Sequence, residues 1–303
     1  MSIQWTGVMP AITTPFTAEL QVDHEFLKRH VAWLVAAGST AIIPCGSLGE
    51  GATLSFDEKV AVVKSCVEAA GEVPVMPGIA AMSTEEAVAL ARACRDVGAK
   101  GLMVLPPYVY PADWRELSTH MGAVIESTEL PCILYNNPVA YGLDLQPAQI
   151  AELVERHAKV EAVKESSTDA RRISAIRALI GDKVALGVGV DDCLLEGVAC
   201  GARFWIAGLV NALPEESIRL YELAMAGRLD EAFELYAWFL PLLRLDTVPK
   251  FVQLIKLAQE AVGWGNEQVR PPRLPLTQEE RAETLALIRH ALDNRPGPGE
   301  EAA

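Results

Sequence analysis

Short apolar runs recurring along the first two thirds of the chain, with helical stretches between them, constrain its fold more than any other feature. The runs are Val8–Thr13, Ala41–Pro44, Val73–Pro77, Gly101–Leu105, Cys132–Tyr135, Val160–Lys164, Val184–Val188 and Phe204–Ile206. Their spacing of roughly 20 to 35 residues is that of repeated βα units with parallel strands. They are apolar throughout rather than alternating, which suits strands covered on both faces. Between them, Ser55 with Glu58 and Ser83 with Glu86 form capping-box signatures, and Gly38, Gly71 and Gly98 follow as helix stops. Eight strands, each followed by a helix, favour a closed barrel over an open doubly wound sheet. An open sheet would also want a glycine-rich turn after its first strand, where this chain has Met9-Pro10-Ala11-Ile12. The predicted class is α/β, a (β/α)8 TIM barrel with a C-terminal helical appendage.

Strand signals stop near residue 225, and the spacing predicts helices over 228–245, 248–262 and 277–293, the last opened by Thr277 and Glu280. The expected division is a catalytic barrel over 1–225, helices over 226–293 and a disordered tail over 294–303, rich in Pro, Gly and Glu.

A net charge of −14 repels a phosphate backbone, so no nucleic-acid partner is expected. The N-terminus lacks the basic and apolar segments of a secretory signal, and no apolar run reaches the roughly 20 residues of a membrane span. A cytoplasmic chain without a membrane partner is expected. Cys45, Cys66, Cys94, Cys132, Cys193 and Cys200 are scattered and read as reduced, mostly buried small hydrophobes. His24, His30, His120, His157 and His290 show no metal-ligand spacing, so neither a metal nor a metal-dependent aldolase is favoured.

In such barrels functional residues gather where strands end. The sixth run ends on Lys164, where desolvation would favour the neutral amine able to attack a carbonyl; on position alone a lysine snorkelling to solvent is the preferred explanation. The fifth ends on Tyr135, a candidate proton shuttle or else a hydrogen-bonded core tyrosine. The second opens into Gly46-Ser47-Leu48-Gly49-Glu50, whose glycines let backbone N–H groups approach a carboxylate while Ser47 adds a donor. Glu50, just before a helix, suits a structural role better than catalysis.

Taken together, these segments resemble the dihydrodipicolinate synthase and N-acetylneuraminate lyase superfamily. Its ordered motifs match Gly7 to Phe16, Gly46 to Glu50, Tyr135 to Pro138 and Lys164 to Ser166, spanning the whole barrel. The resemblance implies a homotetramer built as a dimer of dimers, a small 2-oxo acid as substrate, and no metal or organic cofactor. It implies that Lys164 forms the imine, Tyr135 transfers protons, and Ser47 relays protons while helping Gly46 and Leu48 hold the carboxylate. Ile206 falls where a backbone carbonyl faces the keto acid, and Asp191-Asp192 where a Gly-Asp-Asp turn lies, with Val190 in place of its glycine.

Departures from the pattern bear on the substrate. In the synthases an arginine two residues past the Tyr-Asn-x-Pro proline binds the aldehyde's carboxylate; here that place is Ala140. The second hydroxyl of the turn is replaced by Leu48, and the tyrosine that reaches a neighbouring subunit by Val109, with Tyr108 and Tyr110 as candidate substitutes. These changes resemble the branch acting on sugar acids or hydroxyproline products, including 1-pyrroline-4-hydroxy-2-carboxylate deaminases. Elimination or deamination on a 2-oxo acid or its cyclic imine is the expected activity. The alternatives are a pyruvate-dependent (retro-)aldolase, a 4-hydroxy-tetrahydrodipicolinate synthase, and a catalytically idle barrel that binds a 2-oxo acid.

Overall fold

The computed structural model describes residues 3–107 and 110–296. Among them, one parallel sheet contains β1 (Gly7–Pro10), β2 (Gly78–Ile79), β3 (Leu102–Val104), β4 (Cys132–Asn136), β5 (Val160–Glu165), β6 (Ala185–Val188) and β7 (Phe204–Ala207). The strand order is β1-β7-β6-β5-β4-β3-β2. Helices α1 (His24–Ala36), α2 (Phe56–Ala70), α3 (Thr84–Asp96) and α4 (Trp114–Glu126) alternate with the early strands. They are followed by α5 (Pro138–Tyr141), α6 (Pro147–Arg156), α7 (Arg171–Ile180), α8 (Leu194–Ala199) and α9 (Pro214–Met225). Helices α10 (Leu229–Leu243), α11 (Phe251–Ala261) and α12 (Gln278–Asp293) complete the order, within a few residues of the expected spans.

Two expected strands come out differently. The 41–44 segment makes isolated parallel bridges, Ala11 to Ile43 and Ile42 to Val75, rather than a ladder. Its backbone still bonds both ways: Ile43 N donates to the Pro10 carbonyl at 2.9 Å, and Ile42 N to the Pro74 carbonyl at 2.9 Å. The third expected strand, 73–77, is a bridge at Val75, and the regular strand starts only at Gly78. Pro44, Pro74 and Pro77 carry no N–H, so each removes a donor from a ladder already only a few residues long.

One apolar cluster lies on a single face of the strands and gathers Met9, Ile43, Met76, Met103, Ile133 and Phe204, contributed by most of these segments. A larger cluster on the other face meets the helices. Of the capping boxes, those of Ser55 with Glu58 and Thr277 with Glu280 are complete, whereas Ser83 accepts from Glu86 N without the return bond being formed. All six cysteines are free, and Cys45, Cys66, Cys94 and Cys132 are buried. No helix of the described residues is long and apolar enough to cross a membrane. Of the tail, Arg295 pairs with Glu216, and residues 297–303 lie outside the described residues.

His30 of α1 is wholly buried among the rings of Phe26, Trp33 and Trp264. Its Nε2 lies 3.0 Å from the Asn211 carbonyl, and its Nδ1 has no partner. Burial pulls its pKa down to about 4 from the model-compound value of 6.5. Between these values the unfolded chain binds a proton that the folded one does not, so stability falls as pH drops through this window. The difference of about 2.5 units is worth roughly 3 kcal/mol. Chemical denaturation of the wild type and of His30→Gln from pH 7 to pH 4 checks this: the wild type should lose about 3 kcal/mol more than the variant, and parallel curves would contradict it.

Candidate active site

β4 and β5 pair in a register that sets Tyr135 beside Lys164. Side chains alternate across a strand, so Lys164 shares the face of Ala162, and Tyr135 that of Ile133, toward the inner cluster. Both are buried, at 5% and 4% exposure. The Lys164 ammonium lies 4.1 Å from the centre of the Tyr135 ring, and the Tyr135 oxygen accepts from Asn137 Nδ2 at 2.9 Å. The phenol proton is therefore not taken up by that bond.

The opposite faces lock the pair in place. Asn136 Nδ2 donates to the Glu165 carboxylate at 3.1 Å, and Ser167 N donates to it at 2.7 Å. Burial pushes the Glu165 carboxyl above its usual range, against the pull of those bonds. Across from Lys164, Gly189 leaves space that no other residue would. A Cβ there would stand 2.0 Å from Ser166 Oγ and 2.4 Å from Lys164 Cε. The lysine stem is thus confined by the chain on one side and the Tyr135 ring on the other.

The 46–50 turn is rigid for reasons of space and charge. A Cβ at Gly51 would meet the Cys45 carbonyl oxygen at 2.2 Å, and Thr14 Oγ1 donates to the Gly49 carbonyl at 2.6 Å. Glu50, at a left-handed φ of 52°, is wholly buried and pairs with Lys256 of α11 at 2.6 Å. Arg270 N donates to its other oxygen at 3.1 Å. Burial draws Lys256 down to about 8, with Glu50 opposing the fall. Glu50 therefore ties the turn to the C-terminal helices, the structural role its position implied. Ser47 Oγ bonds the hydroxyl of Tyr141, and the Tyr141 ring meets Tyr135 edge-on at 5.8 Å.

Two carboxyls that strand-end reasoning did not assign to the site lie near enough to Lys164 to feel its charge. Asp191 is wholly buried and accepts from Trp205 Nε1 at 3.1 Å, Gly208 N at 3.1 Å and Leu209 N at 2.7 Å. Burial pushes it up to about 6, against those bonds and the Lys164 charge. Asp246, just past α10, packs its carboxyl on Gly208, where a Cβ would stand 2.2 Å from Oδ1, and that oxygen has no hydrogen-bond partner. Burial and then the charge of Asp191 push Asp246 well up, and Lys164 opposes this. No strand-end signal marks Asp246, and Tyr141 is offset from Tyr135 by a helical turn.

The remaining expected residues divide. Ile206 and Leu48 are buried, and Gly46 lies 3.5 Å from Met103 Cε, measured from a built Cβ. Ala140 is exposed on α5, and its N donates to Asn137 Oδ1 at 2.9 Å. Tyr110, 51% exposed, lines a cleft with Thr84, Glu116 and His120, a lining that does not include Lys164. Tyr108 and Val109 lie outside the described residues. No group of three His, Cys, Asp or Glu side chains suited to a metal occurs among the described residues.

The sequence profile of the Dihydrodipicolinate synthetase family matches residues 4–291. A 4-hydroxy-tetrahydrodipicolinate synthase of Methanospirillum hungatei is 36% identical, over 93% of this chain and 96% of that one. Its namesake in Methanopyrus kandleri is 35% identical, over 96% and 97%. Among solved structures, dihydrodipicolinate synthase of Aquifex aeolicus superposes with a TM-score of 0.89 at 29% identity, covering 95% of this chain and 97% of that one. A prophage protein of the same family from E. coli K12, solved in complex with pyruvate, gives 0.89 at 25%, covering 95% and 99%.

Proposed function

Because the chain belongs to the dihydrodipicolinate synthetase family, whose members are lyases of the lysine Schiff-base class, we propose that it deaminates or dehydrates a 2-oxo acid or its cyclic imine through Lys164. On this proposal the 41–44 segment closes the sheet into a (β/α)8 barrel over residues 1–225, with 226–293 as a helical appendage. The protein would work as a cytoplasmic homotetramer on a small molecule, without cofactor.

In the favoured case Lys164 adds to C2 of 1-pyrroline-4-hydroxy-2-carboxylate, and the ring C2–N bond breaks to leave a protonated imine. That imine draws in the electron pair as a proton leaves C3 and the C4 hydroxyl departs as water. A proton then leaves C5 and another returns to the chain carbons, which turns the C5 amine into an imine; two further waters hydrolyse that imine and the lysine imine, so that one water is consumed overall and one ammonia released. Tyr135, beside the lysine, suits the proton transfers. Ser47, Gly46 and Leu48, with the Ile206 carbonyl, would hold the carboxylate end.

The observation that carries deamination over condensation is Ala140. A second substrate bearing a carboxylate would want a bidentate cation at that place, and a methyl offers none. The nearby Arg172 is already engaged by Asp144 at 2.9 Å and by the Leu145 carbonyl. The names of the relatives favour the second reading, 4-hydroxy-tetrahydrodipicolinate synthesis or another pyruvate-dependent aldol step. A coupled ammonia assay decides between them. Stoichiometric ammonia from 1-pyrroline-4-hydroxy-2-carboxylate is expected; no release above the uncatalysed rate would transfer the assignment to the aldol reading.

A further inference from the structure

The hydroxyl of Tyr141 is bonded to Ser47 Oγ, and both residues are partly exposed, whereas Tyr135 and Lys164 beneath them are buried. The Tyr141 ring stands edge-on to that of Tyr135, with centroids 5.8 Å apart. The position of Tyr141 is determined locally. Asn137 caps α5 by accepting from Ala140 N, Pro138 opens it, and Gly142, in the left-handed region at φ 68°, ends it directly after the tyrosine. The same Asn137 donates to Tyr135 Oη, so one side chain fixes the helical turn that carries Tyr141 and orients the phenol beside the lysine.

We propose that Tyr141 is the outer relay of the site's proton traffic, linking Ser47 to solvent from within the same chain. Formation of the imine requires such a path. When the Lys164 amine adds to a carbonyl, its nitrogen gives up a proton, and the carbinolamine oxygen must gain protons before the C–O bond breaks and water leaves as the C=N bond forms. Buried groups exchange these protons poorly unless a chain of hydroxyls reaches water. The bonded Ser47 and Tyr141 hydroxyls, both on partly exposed residues, supply the outer, solvent-facing part of such a chain, and the Tyr141 ring rests against that of the buried Tyr135. The inference rests on the Schiff-base part of the proposed function and does not depend on which substrate is used.

A purely structural role would instead make the Ser47–Tyr141 bond a latch holding α5 over the turn. The test uses the full-length protein with pyruvate and borohydride, following the rate of adduct formation by intact mass for the wild type, Tyr141→Phe, Ser47→Ala and the double variant. Loss of one relay hydroxyl should slow trapping by about 10²-fold. The double variant should be no slower than the slower single variant, because both interrupt one path. Added imidazole should restore part of the Tyr141→Phe rate and leave the wild type unchanged, and the thermal midpoint should not move. A Tyr141→Phe rate within twofold of wild type, additive losses, or a loss that no buffer rescues would overturn the proposal. Absence of any adduct in the wild type would overturn both this inference and the Schiff-base assignment. An adduct without ammonia release from the pyrroline substrate would overturn deamination alone.

Discussion

Lys164→Ala is expected to lower turnover by about 10⁴-fold or more, equivalent to roughly 5 kcal/mol of lost transition-state stabilisation at 1.36 kcal/mol per tenfold. Covalent catalysis divides a difficult step into two easier ones, and among the described residues Lys164 is the amine set over the Tyr135 ring. The folded structure should tolerate the change. Asp191 and Asp246 lose an opposing positive charge, which moves both further toward the protonated form rather than leaving bare carboxylates. Circular dichroism and the thermal midpoint, measured beside the activity, check that the loss is chemical. An active Lys164→Ala protein would remove the basis of the proposed function, and Lys164→Met, which keeps the apolar stem, guards against a packing effect.

The largest effect on stability is expected at Lys256. Changing it to methionine leaves the Glu50 carboxylate at 0% exposure, held among the described residues by the Arg270 N–H and by the Arg273 guanidinium 3.9 Å away. Removing one partner of a buried ion pair typically costs about 3–5 kcal/mol. At roughly 2 °C per kcal/mol for a protein of this size, the midpoint should drop by about 6–10 °C. Glu50→Gln combined with Lys256→Met should recover much of that loss, because no uncompensated charge then remains. Activity should fall with the single variant even below its melting point, since Glu50 ends the turn that presents Ser47. A single variant as stable as the double would show that the pair carries no such energy.

Much of the strand arrangement was legible in the sequence because buried parallel strands are written as continuous apolar runs, as in Cys132-Ile133-Leu134-Tyr135. The Lys164 and Tyr135 pair followed from the same signal, since neighbouring strand ends become neighbours in space. The strands flanked by prolines were harder. Pro44, Pro74 and Pro77 sit within apolar runs that look like ladders, yet they reduce the pairing to bridges by withholding N–H donors. The capping box at Ser83 was half right, because the sequence shows which groups are able to bond but not whether Glu86 turns back.

Parts of the site lay outside what strand-end reasoning covers. Tyr141 reaches Ser47 only because one turn of helix, set by Asn137 and Pro138, swings it across the mouth. Asp246 meets Gly208 through the packing of the C-terminal helices, 38 positions away in sequence, and no local periodicity encodes such a contact. Tyr110, a candidate by its neighbourhood in sequence, turns instead toward Glu116 on α4. Gly189 lies in an unremarkable Gly-Val-Gly-Val stretch, and its necessity appears only once the Lys164 stem is in place.

The most direct test of the central claim is intact-mass analysis after borohydride reduction, with pyruvate and separately with 1-pyrroline-4-hydroxy-2-carboxylate. A single covalent adduct is expected in the wild type, mapped by peptide digestion to Lys164 and absent from Lys164→Ala. No adduct with either compound, or one that persists in Lys164→Ala, would contradict the assignment of Lys164 as the imine-forming lysine.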